Sequence, residues 1–126
     1  MKLLLLASAG GALGAGVRFI VYQQVTRLAG ATFPWATLIV NVAGSLLIGV
    51  LVAILLDRLP DATGLRAFLI TGVLGGFTTF SAFSIDVVAL MERAEIMQAM
   101  LYVLGSVVLS VSACWIGLVT TRALLP

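Results

Sequence analysis

The sequence predicts a single-domain, all-α membrane protein with four transmembrane helices, of which the third is broken. Three observations predict this fold class. Hydrophobic residues make up 62% of the 126-residue chain, charged residues only 10%, and a glycine–threonine motif interrupts the third apolar stretch. Soluble domains carry about 25% charged residues. Because a membrane-spanning helix needs roughly 20 residues, four spans take about 80 residues and leave short loops.

The four spans follow from the apolar stretches and the polar residues between them. They are predicted to cover residues 3–28, 35–56, 65–91 (with the break near 75–80) and 96–124. The basic, leucine-rich and small residues at positions 2–9 are also typical of a signal peptide with a cleavage site. That apolar run is short, and apolar residues resume through position 25. We therefore interpret residues 3–28 as the first span.

The composition also excludes several functional classes. There is no histidine, and the one cysteine, Cys114, cannot form an internal disulfide or a metal cluster. We find no nucleophile–base pair and therefore expect no enzyme. The net charge is +2, but the basic residues lie mostly near the predicted helix ends, where they anchor a protein at the membrane interface. We therefore expect contact with membrane lipid and no nucleic-acid partner.

Basic residues give little preference for one orientation in the membrane. The side with both termini carries Lys2, Arg58, Arg66 and Arg122, and the other carries Arg27, Arg93 and, if it reaches that interface, Arg18. The positive-inside rule depends on the difference between the two sides, which here is small. A single orientation and insertion both ways round stay open on this count.

Polar side chains lie in lines along two of the predicted helices. The lines are Thr37, Asn41 and Ser45 in the second span, and Tyr102, Ser106 and Ser110 in the fourth. Residues four apart share one helix face. Hydroxyls in helices often bond the carbonyl four residues earlier, which requires no function. The Asn41 amide has two donors and an acceptor, so it suits either a polar solute or a bond between helices.

The third span contains the sequence Gly75-Gly76-Phe77-Thr78-Thr79-Phe80-Ser81. Glycine and β-branched residues are poor helix formers. Non-helical backbone inside a membrane persists only where it is buried in protein or lines a polar cavity. Its freed carbonyls can coordinate a cation, and the following half-helix offers amide N–H groups. A glycine kink for helix packing is the alternative.

Aromatic and charged residues near this motif suggest an anion path. Phe80 and Phe83 are three residues apart, so their rings project to nearly the same side, where positive ring edges could help an anion that is losing water. Packing is the alternative. Arg18 either attracts anions at a vestibule or extends to the interface. Asp86 either pairs with a basic residue or relays protons.

Three motifs together resemble the Fluc (CrcB) family of bacterial fluoride channels. They are Gly11-x-x-Gly14-x-x-x-Arg18-Phe19, Thr37-Leu-Ile-Val-Asn41-Val-Ala-Gly44 and the segment 75–84. The resemblance covers essentially the whole chain. It implies a multi-pass protein of the bacterial cytoplasmic membrane that exports fluoride passively. It also implies an antiparallel, dual-topology homodimer with two pores at the subunit interface.

The resemblance further implies roles for individual residues. Asn41 would donate to fluoride, Phe80 and Phe83 would line the pore, and Arg18 would lie at the vestibule. The polar path would continue through Ser81, Thr37, Tyr102, Ser106 and Ser110. The carbonyls of Gly75 and Thr78 would hold a structural Na⁺. The family frequently has threonine where this sequence has Ala82, so one hydroxyl of the path is missing here.

Two other functions are alternatives to the channel. A small proton-coupled multidrug-type exporter depends on a membrane-embedded glutamate early in the chain, whereas the charged residue within the first span is Arg18. A non-transporting assembly subunit would leave the motif in the third span without a task. Both are therefore less favoured than a channel.

Overall fold

The computed structural model describes residues 1–125, which form helices and connecting turns without a β-strand. The elements are α1 (Lys2–Ala29), α2 (Trp35–Leu55), α3 (Thr63–Arg66), a π-helical segment (Ala67–Leu74), α4 (Gly75–Phe77), α5 (Phe80–Glu92) and α6 (Ile96–Leu124). By length and composition, the stretches able to cross a membrane are Lys2–Ala29, Trp35–Leu55, Thr63–Glu92 and Ile96–Leu124. The prediction of an all-α chain with four helices that can span a membrane is confirmed.

The exposed surface of the single chain is mostly apolar. The largest fully buried side chains are Tyr102, Leu90, Val40 and Thr37, and most other large hydrophobic side chains face outward. Contiguous exposed apolar surface of this extent marks contact with lipid or with another protein. The helices are therefore arranged for an apolar environment.

Close contacts between helix backbones hold two pairs of helices together. α1 packs chiefly on the π-helical segment, and α2 packs chiefly on α6. A Cβ atom at Gly14 would overlap the carbonyl oxygen of Val73, and one at Gly49 would overlap that of Cys114. Small residues at such crossings let membrane helices approach closely, so glycine is required at both positions.

The backbone around the glycine–threonine motif differs from the expectation in one respect. Gly75 has helical dihedral angles (φ −62°, ψ −36°), whereas Thr78 (φ −80°, ψ 157°) and Thr79 (φ −154°, ψ 119°) are extended. A Cβ atom at Gly76 would overlap the carbonyl oxygen of Gly11 in α1. The glycines therefore allow close packing on α1, and the change of backbone direction falls on the two threonines.

An exposed ion pair joins the ends of α2 and α6. The Arg122 side chain donates to the Asp57 carboxylate through Nε at 2.7 Å and Nη2 at 3.2 Å. This hydrogen bonding holds the pKa of Asp57 below its ordinary value. Since the pair is exposed, it contributes little to the free energy of unfolding.

Candidate functional site

Asn41 clamps the extended Thr78–Thr79 segment from the neighbouring helix. Asn41 Nδ2 donates to the Thr79 carbonyl at 2.9 Å, and the Thr79 N–H donates to Asn41 Oδ1 at 2.8 Å. The side-chain amide thus satisfies both backbone groups of one extended residue, as a neighbouring strand would. Because an asparagine amide has two N–H donors, one stays available after this pairing.

Arg18 contacts the same segment from α1. Its Nη1 donates to the Thr78 carbonyl at 3.2 Å. The sequence left two roles open for Arg18, that of an anion-attracting vestibule residue or of an interfacial anchor. The structure shows a third role, a hydrogen bond to the backbone of the extended segment. The guanidinium stabilises a carbonyl that helical bonding does not satisfy, and it places a positive charge beside the extended residues.

Thr79 begins the following helix. The N–H of Ala82 donates to Thr79 Oγ1 at 3.1 Å, and the Thr79 and Ser81 hydroxyls lie 3.2 Å apart. A threonine in this position satisfies one of the amide groups that the first turn of a helix leaves unpaired. The second threonine of the motif therefore has a local capping role that the glycines cannot supply.

A groove of about 560 Å³ opens beside this segment. It is lined by Asn41, Gly44, Ser45, Ile48, Ile70, Leu74, Gly75, Thr78, Thr79, Phe80, Phe83, Ser106, Val107, Ser110 and Val111. These lining residues include amide and hydroxyl groups but no charged side chain. The groove can therefore offer hydrogen-bond donors to an anion without a fixed negative charge that would repel it.

Two features of the groove suggest that something occupies it. Ser106 is 7% exposed, and its hydroxyl oxygen is buried without a hydrogen-bond partner among the described residues. Such a group loses free energy unless a ligand or water satisfies it. Phe80 is 77% exposed, and its ring centroid lies 5.3 Å from that of Phe83. Both rings are thus available to a ligand or to a second apolar surface.

A carboxylate and three hydroxyls form a cluster at one end of Phe83. Thr37 donates to Asp86 Oδ2 at 2.5 Å, and Tyr102 donates to the same oxygen at 3.0 Å. Because Thr37 gives its hydrogen to Asp86, Tyr22 is the donor in its hydrogen bond with Thr37. Asp86 is therefore stabilised by hydroxyls, whereas the sequence had left pairing with a basic residue open.

A second, wider groove lies on the α1 side of the extended segment. Its volume is about 1070 Å³, and its lining includes Arg18, Arg27 and Ser81. Ser81 and Arg18 therefore line a different groove from Asn41 and Phe80.

The structure brings most of the proposed site residues together. Asn41, Phe80, Phe83, Ser106, Ser110, Gly75 and Thr78 share the groove of about 560 Å³. Thr37 and Tyr102 belong to the Asp86 cluster, and Tyr102 connects it to the groove because its ring centroid lies 5.2 Å from that of Phe83. The sequence argument missed Tyr22. Its position one helical turn after Arg18 on the same face of α1 was the available signal.

These features define a class of protein: a multi-pass membrane protein with a neutral, donor-lined groove beside an extended segment between apolar helices. Residues 5–118 match the family described as CrcB-like protein, Camphor Resistance (CrcB). The chain belongs to this family.

Curated relatives cover nearly the whole chain. A protein of Rhizobium meliloti (strain 1021) is 48% identical over 124 residues, which is 98% of this chain and 99% of the relative. A protein of Agrobacterium fabrum (strain C58 / ATCC 33970) is 49% identical over 119 residues, covering 94% and 95%. A protein of Rhodospirillum centenum (strain ATCC 51521 / SW) is 47% identical over 122 residues, covering 97% of each. All three are named "Fluoride-specific ion channel FluC".

Proposed function

We propose that this chain is a fluoride-specific ion channel and not an enzyme. The observation that carries the proposal is the groove with amide, hydroxyl and aromatic groups and no charged side chain. The names and high identity of the curated relatives support the same function. A passive channel of this kind lets fluoride leave the cell down its gradient.

The chemistry of the groove suits a small, strongly hydrated anion. Fluoride is a strong hydrogen-bond acceptor, so a pathway must replace its water with donors that are already in position. The remaining Asn41 N–H and the hydroxyls of Ser106 and Ser110 are such donors. The positive edges of the Phe80 and Phe83 rings stabilise the anion without a full positive charge. Selectivity then comes from a narrow path with fixed donors.

The two ends of the path use different groups. Ser81 lies with Arg18 in the wide groove, where a positive charge raises the local anion concentration. At the other end, the hydroxyls of Thr37 and Tyr102 are bonded to Asp86. In this proposal these two hydroxyls can bind fluoride only after they release the carboxylate.

The working unit of the proposal is an antiparallel, dual-topology homodimer in the bacterial cytoplasmic membrane. Three observations support it: the groove is open, Phe80 is highly exposed, and the basic residues are nearly balanced between the two ends. A second copy related by two-fold symmetry covers the groove and gives two equivalent pores. Cysteine labelling of loop positions in intact cells should report both orientations, and a single orientation would contradict the arrangement.

A structural Na⁺ held by the carbonyls of Gly75 and Thr78 belongs to the same proposal. Residues 1–125 contain no cluster of acidic, cysteine or histidine side chains that could hold a metal ion. The Gly75 carbonyl lacks its helical partner because the Thr79 N–H donates to Asn41. Thr78 keeps a second lone pair beside its bond from Arg18.

These neutral oxygens fit a hard monovalent cation, and the remaining ligands come from the second copy. The Arg18 charge beside Thr78 lowers the affinity that the carbonyls alone would have. When bound, Na⁺ contributes positive potential at the subunit interface. Purification with a larger cation in place of Na⁺ should weaken the dimer, and an unchanged dimer would exclude a structural Na⁺.

Fluoride and chloride efflux from liposomes containing the purified protein test the function. We expect fluoride efflux without matching chloride efflux, and no dependence on a pH gradient. Equal efflux of the two anions would contradict the channel proposal, and dependence on a pH gradient would favour the exporter.

A matched pair of serine variants tests the groove. Ser106→Ala removes the unpaired hydroxyl and should slow fluoride efflux. Ser84→Ala is the control, because the Ser84 hydroxyl already donates to the Phe80 carbonyl at 2.9 Å and does not line the groove. Equal slowing by both variants would remove Ser106 from the pathway.

A further inference from the structure

The connector between α1 and α2, residues 30–34, forms one side of a cavity whose lining includes Asp86. The cavity has a volume of about 350 Å³. Gly30, Ala31, Phe33 and Pro34 of the connector form one wall, and its lining also includes Tyr22, Asp86, Leu90 and Arg93. A water molecule occupies about 30 Å³ in the liquid, so the cavity has room for several. Tyr22, Asp86 and Arg93 are polar groups in its lining that can hydrogen-bond water.

Few hydrogen bonds hold the connector in place. Its own backbone bonds are local: Gly30 N–H donates to the Thr26 carbonyl, Trp35 N–H to the Phe33 carbonyl, and Leu38 N–H to the Pro34 carbonyl. Within residues 1–125, the hydrogen bond that reaches it from another part of the fold is Arg93 Nη2 to the Thr32 carbonyl, at 2.8 Å. Arg93 lies at the end of α5, so this bond joins the connector to the helix that carries Asp86.

Phe33 provides the apolar contact of the connector. Its ring meets the Tyr102 ring edge-to-face at 5.6 Å between centroids and packs against the buried Leu90 and Ala99. Tyr102 donates to Asp86. A movement of the connector that withdraws Phe33 therefore uncovers Tyr102 and the carboxylate together.

We propose that the connector is a lid over the Asp86 cavity and that Arg93 is the positioning residue that keeps it closed. The bond is exchangeable, because the Arg93 side chain is 44% exposed and its Nη2 also lies 3.5 Å from the Glu95 carboxylate. Loss of the bond to Thr32 frees the connector backbone while Glu95 retains the guanidinium. Opening then gives water and small anions access to the cavity. The consequence for fluoride rests on the proposed function, whereas the existence of the lid does not.

Two buried alanines of α2 provide a matched pair of reporters. Ala36 is 4% exposed and lines the cavity, and Ala53 is 3% exposed at the other end of the same helix, away from it. Each is changed to cysteine in a Cys114→Ser background, and the rate of reaction with a small water-soluble thiol reagent is measured in liposomes. The measurement is then repeated with Arg93→Gln.

Arg93→Gln should raise the labelling rate of Ala36→Cys about tenfold, which corresponds to about 1.4 kcal/mol, and leave that of Ala53→Cys unchanged. Arg93→Lys should recover most of the closed state, since an ammonium can also donate to a carbonyl. An unchanged rate at position 36, or equal increases at both positions, would overturn the lid. Rates in the lysine variant equal to those in the glutamine variant would overturn the role of the cationic hydrogen bond.

Amide hydrogen exchange tests the same proposal without added cysteines. In the Arg93→Gln protein the Trp35 amide, which donates to the Phe33 carbonyl at 2.8 Å, should exchange about tenfold faster, while the amides around Leu90 in α5 keep their rates. Equal protection of the connector in parent and variant would overturn the proposal. Because neither measurement uses fluoride, failure of the lid and failure of the channel function are distinguishable.

Discussion

Replacement of Asn41 should reduce stability and fluoride efflux for separable reasons. Asn41→Ala removes the hydrogen bonds of 2.9 Å and 2.8 Å that satisfy the Thr79 carbonyl and N–H. An unsatisfied, partly buried backbone group costs about 1–3 kcal/mol. The loss of both partners should therefore lower the free energy of unfolding by about 2–6 kcal/mol. The upper part of this range applies if water does not reach Thr79.

Asn41→Asp tests the pathway. It retains an acceptor for the Thr79 N–H but replaces the donor to the Thr79 carbonyl by an oxygen, so this variant should be destabilised as well. The introduced carboxylate lies in a groove without other charged side chains, so it should abolish fluoride efflux by repelling the anion. Unfolding is followed by tryptophan fluorescence in detergent and efflux with a fluoride electrode on liposomes.

Ser45→Ala is the control for stability, since it removes a polar group one helical turn further along α2 without touching Thr79. Its free energy of unfolding should stay within about 0.5 kcal/mol of the parent. Asn41→Ala with the stability of the parent would refute the clamp. Asn41→Asp with unchanged efflux would refute the place of Asn41 in the pathway.

Three further changes test the Arg18 hydrogen bond, the backbone conformation of Ala94 and the ion pair of Asp57. Arg18→Gln removes the cationic donor to the Thr78 carbonyl and should lower the free energy of unfolding by about 1–3 kcal/mol. Arg18→Lys should recover part of this loss. An unchanged unfolding midpoint in Arg18→Gln would contradict the contact. Ala94 has φ 59°, a left-handed conformation that costs a non-glycine residue about 1–2 kcal/mol. Ala94→Gly should therefore raise or preserve the unfolding midpoint. A clear decrease would count against backbone strain at this residue. Asp57→Asn should change stability only slightly at neutral pH, because the pair with Arg122 is exposed. Since folding lowers the pKa of Asp57, the contribution of this pair is present at neutral pH and lost as the pH falls through that lowered pKa. Parent and variant should therefore converge in acid, and a difference that grows in acid would contradict the assignment.

Hydropathy was sufficient to predict the helices because the bilayer itself sets their length. An apolar stretch of about 20 residues with few charges has one stable form in hydrocarbon, a helix that satisfies its own backbone. The motifs around Asn41 and Thr79 were sufficient to indicate the family for a related reason. Backbone groups without a helical hydrogen bond need polar partners inside a membrane. The residues that supply those partners form a recognisable sequence motif.

The partners of individual groups could not be read from the sequence. Asn41 was predicted as a donor to a solute or as a bond between helices, and its pairing with both backbone groups of Thr79 depends on how α2 lies against the extended segment. The glycines at 75 and 76 pointed to the interruption, yet they serve contact with α1. Sequence spacing gives the face of a helix on which a residue lies but not the atoms opposite that face.

Sequence by itself predicted four helices that are long and apolar enough to cross a membrane, because apolar length and local helix propensity act within one segment. Tertiary structure alone decided that Arg18 bonds the Thr78 carbonyl, and that hydroxyls from two other helices, those of Thr37 and Tyr102, stabilise Asp86. It also decided that Arg93 reaches the connector at Thr32. The physical reason is that polar groups in an apolar surrounding must find partners wherever packing brings them, and packing joins residues far apart in the chain.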